Sequence, residues 1–130
     1  MALKILIVDD SAVTRMVLKK TIAMTEIPVD EIIEAAHGQE ALDLLCHHQV
    51  DLVLADLNMP EMNGMEMTAA ILGNQATRNI PVIIISTHAC DRRINELRSQ
   101  GVKNYIHKPF TPEMIRDALQ EVINTTTLHR

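Results

Sequence analysis

Aromatic side chains are almost missing from this sequence: Tyr105 and Phe110 stand alone, and there is no Trp. That leaves almost nothing on which to stack a nucleic-acid base or a flavin ring, and the core falls to Ile, Leu, Val, Ala and Met. Cysteine is nearly as scarce. Cys46 and Cys90 are too few and too far apart for a metal knuckle or a disulfide framework, so they read as free thiols of a reducing, cytoplasmic compartment. An excess of basic residues is also lacking. The formal net charge is −5, which argues against a nucleic-acid surface, because binding a phosphate backbone needs clustered Lys and Arg to release counterions. No apolar run approaches the roughly 18 residues of a membrane span, and the first residues show no signal-peptide pattern. Neither nucleic acid nor membrane insertion is therefore expected. Disorder is excluded by a hydrophobic share of 47% with only 22% charged residues. At 130 residues the chain has room for one domain with a single core.

What the chain does have is a series of short apolar runs that end in polar residues. Leu3 to Val8 is nearly continuous and rich in branched residues, the pattern of a strand covered on both faces. It ends at Asp9-Asp10. Ser11 caps a helix to about Thr25, with Thr14, Val17, Leu18 and Ile22 on one face and Arg15, Lys19 and Lys20 pointing elsewhere. Ile32 to Ala36 is a weaker strand, followed by a helix from about Gln39 with Leu42 and Leu45 as its core stripe. Leu52 to Ala55 drives straight into Asp56 and then into the turn-forming Asn58, Pro60, Asn63 and Gly64. Met65 to Leu72 makes a third helix closed by Gly73. Ile80 to Ser86 is the most apolar strand, with Pro81 tolerable only near its start.

A fourth helix follows over Asp91 to Gln100, then a short strand from Asn104 to His107 and the tripeptide Lys108-Pro109-Phe110. Thr111 and Pro112 open the last helix, in which Ile115, Ala118, Leu119 and Val122 recur at i, i+3, i+4 and i+7. Its domain is expected to span residues 1–124, with 125–130 as a short tail. Five strands alternating with five helices predict an α/β domain, a parallel sheet with helices on both faces. In such sheets the carboxyl ends of the strands form the ligand edge. Those ends carry Asp9 and Asp10, Asp56, Ser86 and Thr87, and Lys108, so polar groups scattered in sequence converge on one rim.

Three carboxylates at one rim repel each other unless positive charge sits among them. Lys108 supplies one charge, and a magnesium ion, a hard cation that takes carboxylate, carbonyl and water oxygens, supplies the other two. Phosphorylation of Asp56 would change its charge from −1 to about −2, and Ser86 can offer a hydrogen bond to the added oxygens.

Four stretches in order, Val8–Ser11 (VDDS), Asp56–Gly64 (DLNMPEMNG), Pro81–Ser86 (PVIIIS) and Lys108–Phe110 (KPF), span nearly the whole chain. On them the sequence resembles the receiver domain of two-component response regulators, in particular the stand-alone chemotaxis type. The resemblance implies a doubly wound, flavodoxin-like sheet of order 2-1-3-4-5. It implies Asp56 as phosphoacceptor from a sensor histidine kinase or phosphotransfer protein, with Asp9, Asp10, Asp56 and the backbone carbonyl of Asn58 holding magnesium. Lys108 would bind the phosphoryl oxygens, Ser86 would be the switch hydroxyl, Tyr105 the aromatic whose rotamer follows it, and Lys108-Pro109 a cis peptide. The output would be a downstream protein bound through helix four, strand five and helix five, in a monomer or a phosphorylation-dependent dimer. The chain would catalyse only its own phosphorylation and dephosphorylation.

One departure stands out. The position after the switch hydroxyl is usually Ala or Gly in the family, and here it is Thr87, expected to narrow access to the phosphoryl group and slow hydrolysis. Asn58 and His88 occupy the other positions at which the family tunes that rate. An alternative is a receiver-like interaction module that works without phosphorylation, although all the acids and the lysine are retained. A haloacid-dehalogenase-type phosphatase would need Asp-x-Asp after the first strand, where this chain has Asp9-Asp10-Ser11. A flavodoxin would need aromatic ring-stackers. A histidine phosphotransfer module would be a helical bundle, and the adjacent His47 and His48 diverge on their helix. The methionines at 59, 62, 65 and 67 read as core and loop filling, and Arg92, Arg93 and Arg98 as a basic face of helix four.

Overall fold

The apolar runs become strands because each is flanked by helices that cover it. The structure, a computed structural model, describes residues 2–56, 64–86, 95, 96, 99, 102 and 104–128. Its elements are β1 (Leu3–Val8), α1 (Ala12–Met24), β2 (Val29–Ala35), α2 (Gly38–His47), β3 (Leu52–Asp56), α3 (Gly64–Leu72), β4 (Val82–Ser86), β5 (Asn104–His107) and α4 (Pro112–Leu128). The strands form one sheet in the order β2-β1-β3-β4-β5, and every neighbouring pair is parallel. Four helices are complete among the described residues where five are expected. Most of the predicted Asp91–Gln100 helix lies outside them, and residues 95, 96 and 99 are helical.

Side chains alternate along each strand, so the sheet supports a core on each face. Leu6, Val8, Val53, Ala55, Val82 and Ile84 pack with Ala41 and Leu45 of α2 and Met67 and Ile71 of α3. Ile5, Ile7, Leu52, Leu54, Ile83 and Ile85 pack with Leu18 and Ile22 of α1 and with Ile115, Ala118, Leu119 and Val122 of α4. Full burial of each of these larger side chains stabilises the fold by roughly 1.5–3 kcal/mol. Strands β1, β3 and β4 read as nearly unbroken apolar runs because neither of their faces meets water.

Several local expectations are corrected. The buried stripe of α1 is Leu18, Thr21 and Ile22, and Val17 is 45% exposed. The helix meets the sheet through its second half, so Val13, Met16 and Val17 near its start stay outside. Strand β2 begins at Val29, three residues before the apolar run, because Leu3 pairs with Val29 and Lys4 with Glu31 along β1. As an edge strand it carries exposed Asp30 and Glu31 within the ladder. Strand β4 begins at Val82 rather than Ile80, and the Pro81 carbonyl accepts from Val53 N at its entrance. Helix α2 opens at Gly38, capped by His37, whose Nδ1 accepts from Glu40 N at 3.2 Å. Ser11 caps α1 as its hydroxyl predicts, accepting from Thr14 N at 3.2 Å. Helix α4 continues to Leu128, so the segment assigned to a tail from residue 125 is helical over its first four residues.

Candidate functional site: an acidic cluster at the strand ends

The parallel register fixes which residues share the rim. Val8 pairs with Ala55 across β1 and β3, and Asp56 lies opposite Ile85 of β4. Ser86 closes β4 opposite His107 of β5, and Lys108 N donates to the Ser86 carbonyl at 2.9 Å. Asp9, Asp56, Ser86 and Lys108 are thus the last residue of a strand or the first beyond it.

Asp9, Asp10 and Asp56 meet there, each offering a carboxylate oxygen, all within 4.8 Å of one another. They differ in environment. Asp9 is 2% exposed, Asp56 is half-buried and Asp10 is exposed. The Asp9 Oδ1 accepts from Ser11 N at 2.9 Å, and its Oδ2 faces Lys108 Nζ at 3.4 Å. The same ammonium lies 4.0 Å from Asp56 Oδ1. Lys108 therefore spans two of the three acids, with its two ion pairs on Asp9 and Asp56. The Lys108-Pro109 peptide is cis, as the resemblance implies.

A set of three hard carboxylate oxygens this close suits a hard divalent cation, which accepts such ligands in exchange for water. One lysine leaves a net charge of −2 among these four side chains, the charge a divalent ion neutralises. The donor set fits magnesium.

Ser86 is fully buried. Tyr105 is half-buried beside it, and its hydroxyl donates to the Ser86 backbone carbonyl at 3.4 Å. Burial pushes the Tyr105 phenol above its ordinary value of 10.0, against the opposing effect of that hydrogen bond. It stays protonated at neutral pH and is available as a donor. Asn58, Thr87 and His88 lie outside the described residues, as do Met59, Met62, Arg92, Arg93 and Arg98.

One contact at the site was not legible in the sequence. Arg15, read from the sequence only as pointing away from the apolar face of α1, donates from Nη1 to the backbone carbonyl of Asp9 and from Nε to Glu34 Oε1 of β2 at 3.1 Å. No local pattern joins residues 19 positions apart. A single arginine one turn past an acidic pair is the only trace of it.

Comparison with known proteins gives a consistent result. Residues 5–120 match the family described as response regulator receiver domain. The chain is 37% identical over 124 residues to a chemotaxis protein CheY homolog of Campylobacter jejuni, covering 95% of this chain and 94% of that one. It is 34% identical over 124 residues to chemotaxis protein CheY1 of Helicobacter pylori, covering 95% and 98%. Among solved structures, chemotaxis protein CheY4 of Vibrio cholerae superposes with a TM-score of 0.83 at 30% identity, covering 94% of this chain and 99% of that one.

Proposed function

The chain belongs to the response regulator receiver domain family, the domain of phosphorylation-based signalling, and from that membership we propose that Asp56 is its phosphoacceptor. The observation that carries this reading is the placement of Lys108 Nζ between Asp9 and Asp56 within a cluster of three carboxylates. A nucleophilic carboxylate needs its own charge and the incoming charge offset; Lys108 supplies one positive charge, and a divalent cation on the carboxylate cluster would supply the rest. Asp9, Asp10 and Asp56 would hold magnesium, joined by the Asn58 carbonyl. When bound, the ion offsets charge on the phosphoryl oxygens and orients them.

The chain's own groups then divide the work. An Asp56 carboxylate oxygen attacks phosphorus and forms an O–P bond as the bond to the donor breaks. With a phosphohistidine donor on a histidine kinase or phosphotransfer protein, the imidazole leaves with the bonding electrons. Lys108 contacts the transferred oxygens, and its ion pair with Asp56 is exchanged for one with the phosphoryl group. Ser86 donates its hydroxyl to the same oxygens, and Tyr105 follows it. Asp9 is held in place by the hydrogen bond from the Ser11 amide. The readout is local electrostatics passed to the β5 and α4 surface and the Asp91–Gln100 segment, where a downstream protein binds.

In this reading the protein turns over only its own phosphoryl group, in the cytoplasm, as a monomer or phosphorylation-dependent dimer. Among the described residues, no helix is long and apolar enough to cross a membrane.

The test is incubation with acetyl phosphate and magnesium, followed by intact mass measurement. A phosphoryl adduct that requires magnesium and is absent from Asp56→Asn is expected. An adduct that survives the substitution, or none in wild type, overturns the assignment. Retention of phosphorylation-independent partner binding by Asp56→Asn would instead favour a constitutive interaction module.

A further inference from the structure

The three acids of the cluster are not held equally. Asp56 is the last residue of a central strand, and both carboxylate oxygens of Asp9 are engaged, by Ser11 N and by Lys108. Asp10 is exposed, and its place depends on the backbone that carries it. That backbone is tied at the Asp9 amide, which donates to the Ala35 carbonyl at 3.1 Å, and at the Ser11 amide. Between these ties lies the Asp9–Asp10 peptide, whose carbonyl receives Arg15 Nη1. Orienting this peptide plane orients Asp10.

Arg15 reaches that carbonyl in a fixed pose. Its Nε is bonded to Glu34 Oε1 at 3.1 Å, and Glu34 Oε2 is bonded to Lys19 Nζ at 2.9 Å. Glu34 lies on β2, so the guanidinium joins an edge strand to the acidic loop. The Arg15 side chain is only 17% exposed. The hydrogen bond from Lys19 is the largest of the effects that hold the Glu34 carboxyl below its ordinary value of 4.5, so it is ionised at neutral pH. A guanidinium can serve two acceptors from two nitrogens of one rigid plane, which a lysine ammonium on a flexible stem does not reproduce.

We propose that Arg15, braced by Glu34, is a positioning residue that fixes the Asp9–Asp10 peptide and thereby presents Asp10 to the divalent cation. This rests on the reading of Asp9, Asp10 and Asp56 as a cation site. Its sign is informative, because a positive group beside that site would by charge alone weaken cation binding. Positioning and electrostatics therefore act in opposite directions.

The experiment compares wild type, Arg15→Lys and Arg15→Met by calorimetric titration with magnesium chloride. Urea unfolding and metal-free amide exchange at Ser11 are measured alongside. Both variants are expected to bind magnesium about tenfold more weakly, as loss of an outer-shell partner does, and to exchange the Ser11 amide faster, with urea midpoints that do not account for the loss. An Arg15→Lys variant that binds like wild type, or an Arg15→Met variant that binds more tightly, would mean that only charge matters and would overturn the proposal. Lost stability with unchanged magnesium affinity would make Arg15 merely structural and overturn it equally. Absence of magnesium binding in wild type would sink the cation-site reading itself, while the Ser11 exchange would still report whether Arg15 holds the loop.

Discussion

Replacing Asp10 with Asn should make the metal-free protein more stable, because the site stores repulsion that folding creates. Asp9 and Asp10 are chain neighbours in the unfolded state as well, so most of their mutual repulsion cancels. The Asp10–Asp56 contact exists only in the fold, with carboxylate oxygens within 4.8 Å. At that separation two unit charges repel by about 3.5 kcal/mol at an effective dielectric near 20, and by about 0.9 kcal/mol in bulk water. Asp10 is exposed, so a value between these limits, about 1–2 kcal/mol, is expected. Lys108 offsets only part of it, since its single charge is shared between Asp9 and Asp56. Asp10→Asn keeps the side-chain shape and removes the charge. Urea unfolding in EDTA should show the variant more stable by that amount, with a melting temperature raised by roughly 3–5 °C per kcal/mol at this chain length. In excess magnesium the gap should close or reverse, because wild type alone gains the full binding free energy. A variant less stable than wild type in EDTA, or a gap indifferent to magnesium, would refute the reasoning.

Further expectations concern single positions. Glu26 has φ 63°, a left-handed conformation that costs a side-chain-bearing residue about 1–2 kcal/mol, whereas glycine gives back about 0.5–1 kcal/mol through the unfolded chain. Glu26→Gly should therefore raise stability by about 0.5–1 kcal/mol in denaturant unfolding, and a loss would show that the Glu26 side chain compensates. The lowered pKa of Glu34 gives stability that is full above the unfolded value near 4.5 and is lost as pH falls through the lower folded value. Glu34→Gln should cost about 0.2–1 kcal/mol at pH 7, the scale of exposed ion pairs, with the difference fading toward pH 3; a difference that grows on acidification would contradict this sign. Thr87→Ala should release the phosphoryl group faster, followed by the decay of the phosphorylated mass. Faster loss from wild type would exclude Thr87 as an obstruction.

The central strands were legible because burial on both faces leaves a strand nothing but apolar residues to show, as Leu52–Ala55 and Val82–Ile85 do. Edge strand β2 was half hidden, since its exposed side admits Asp30 and Glu31 and its start is set by pairing with β1. Helix α4 announced its buried face through a regular apolar stripe. Helix α1 did not, because Val13, Met16 and Val17 are apolar and yet exposed. The capping role of His37 was missed for a related reason: histidine is not among the favoured caps, and only the backbone path at Ala36 and His37 brings Nδ1 to the Glu40 amide.

Local sequence is enough to name the chemistry available at the rim. Hydrophobic runs ending in Asp9-Asp10, Asp56, Ser86 and Lys108 can be read without coordinates, because strand period and burial are written in consecutive residues. How those groups are shared out follows from the fold. Lys108 stands between Asp9 and Asp56, Asp10 is left at the solvent edge, and Arg15 ties the acidic loop to Glu34. Such pairings join residues far apart in the chain, and their distances follow from parallel register and helix docking, which no local stretch encodes.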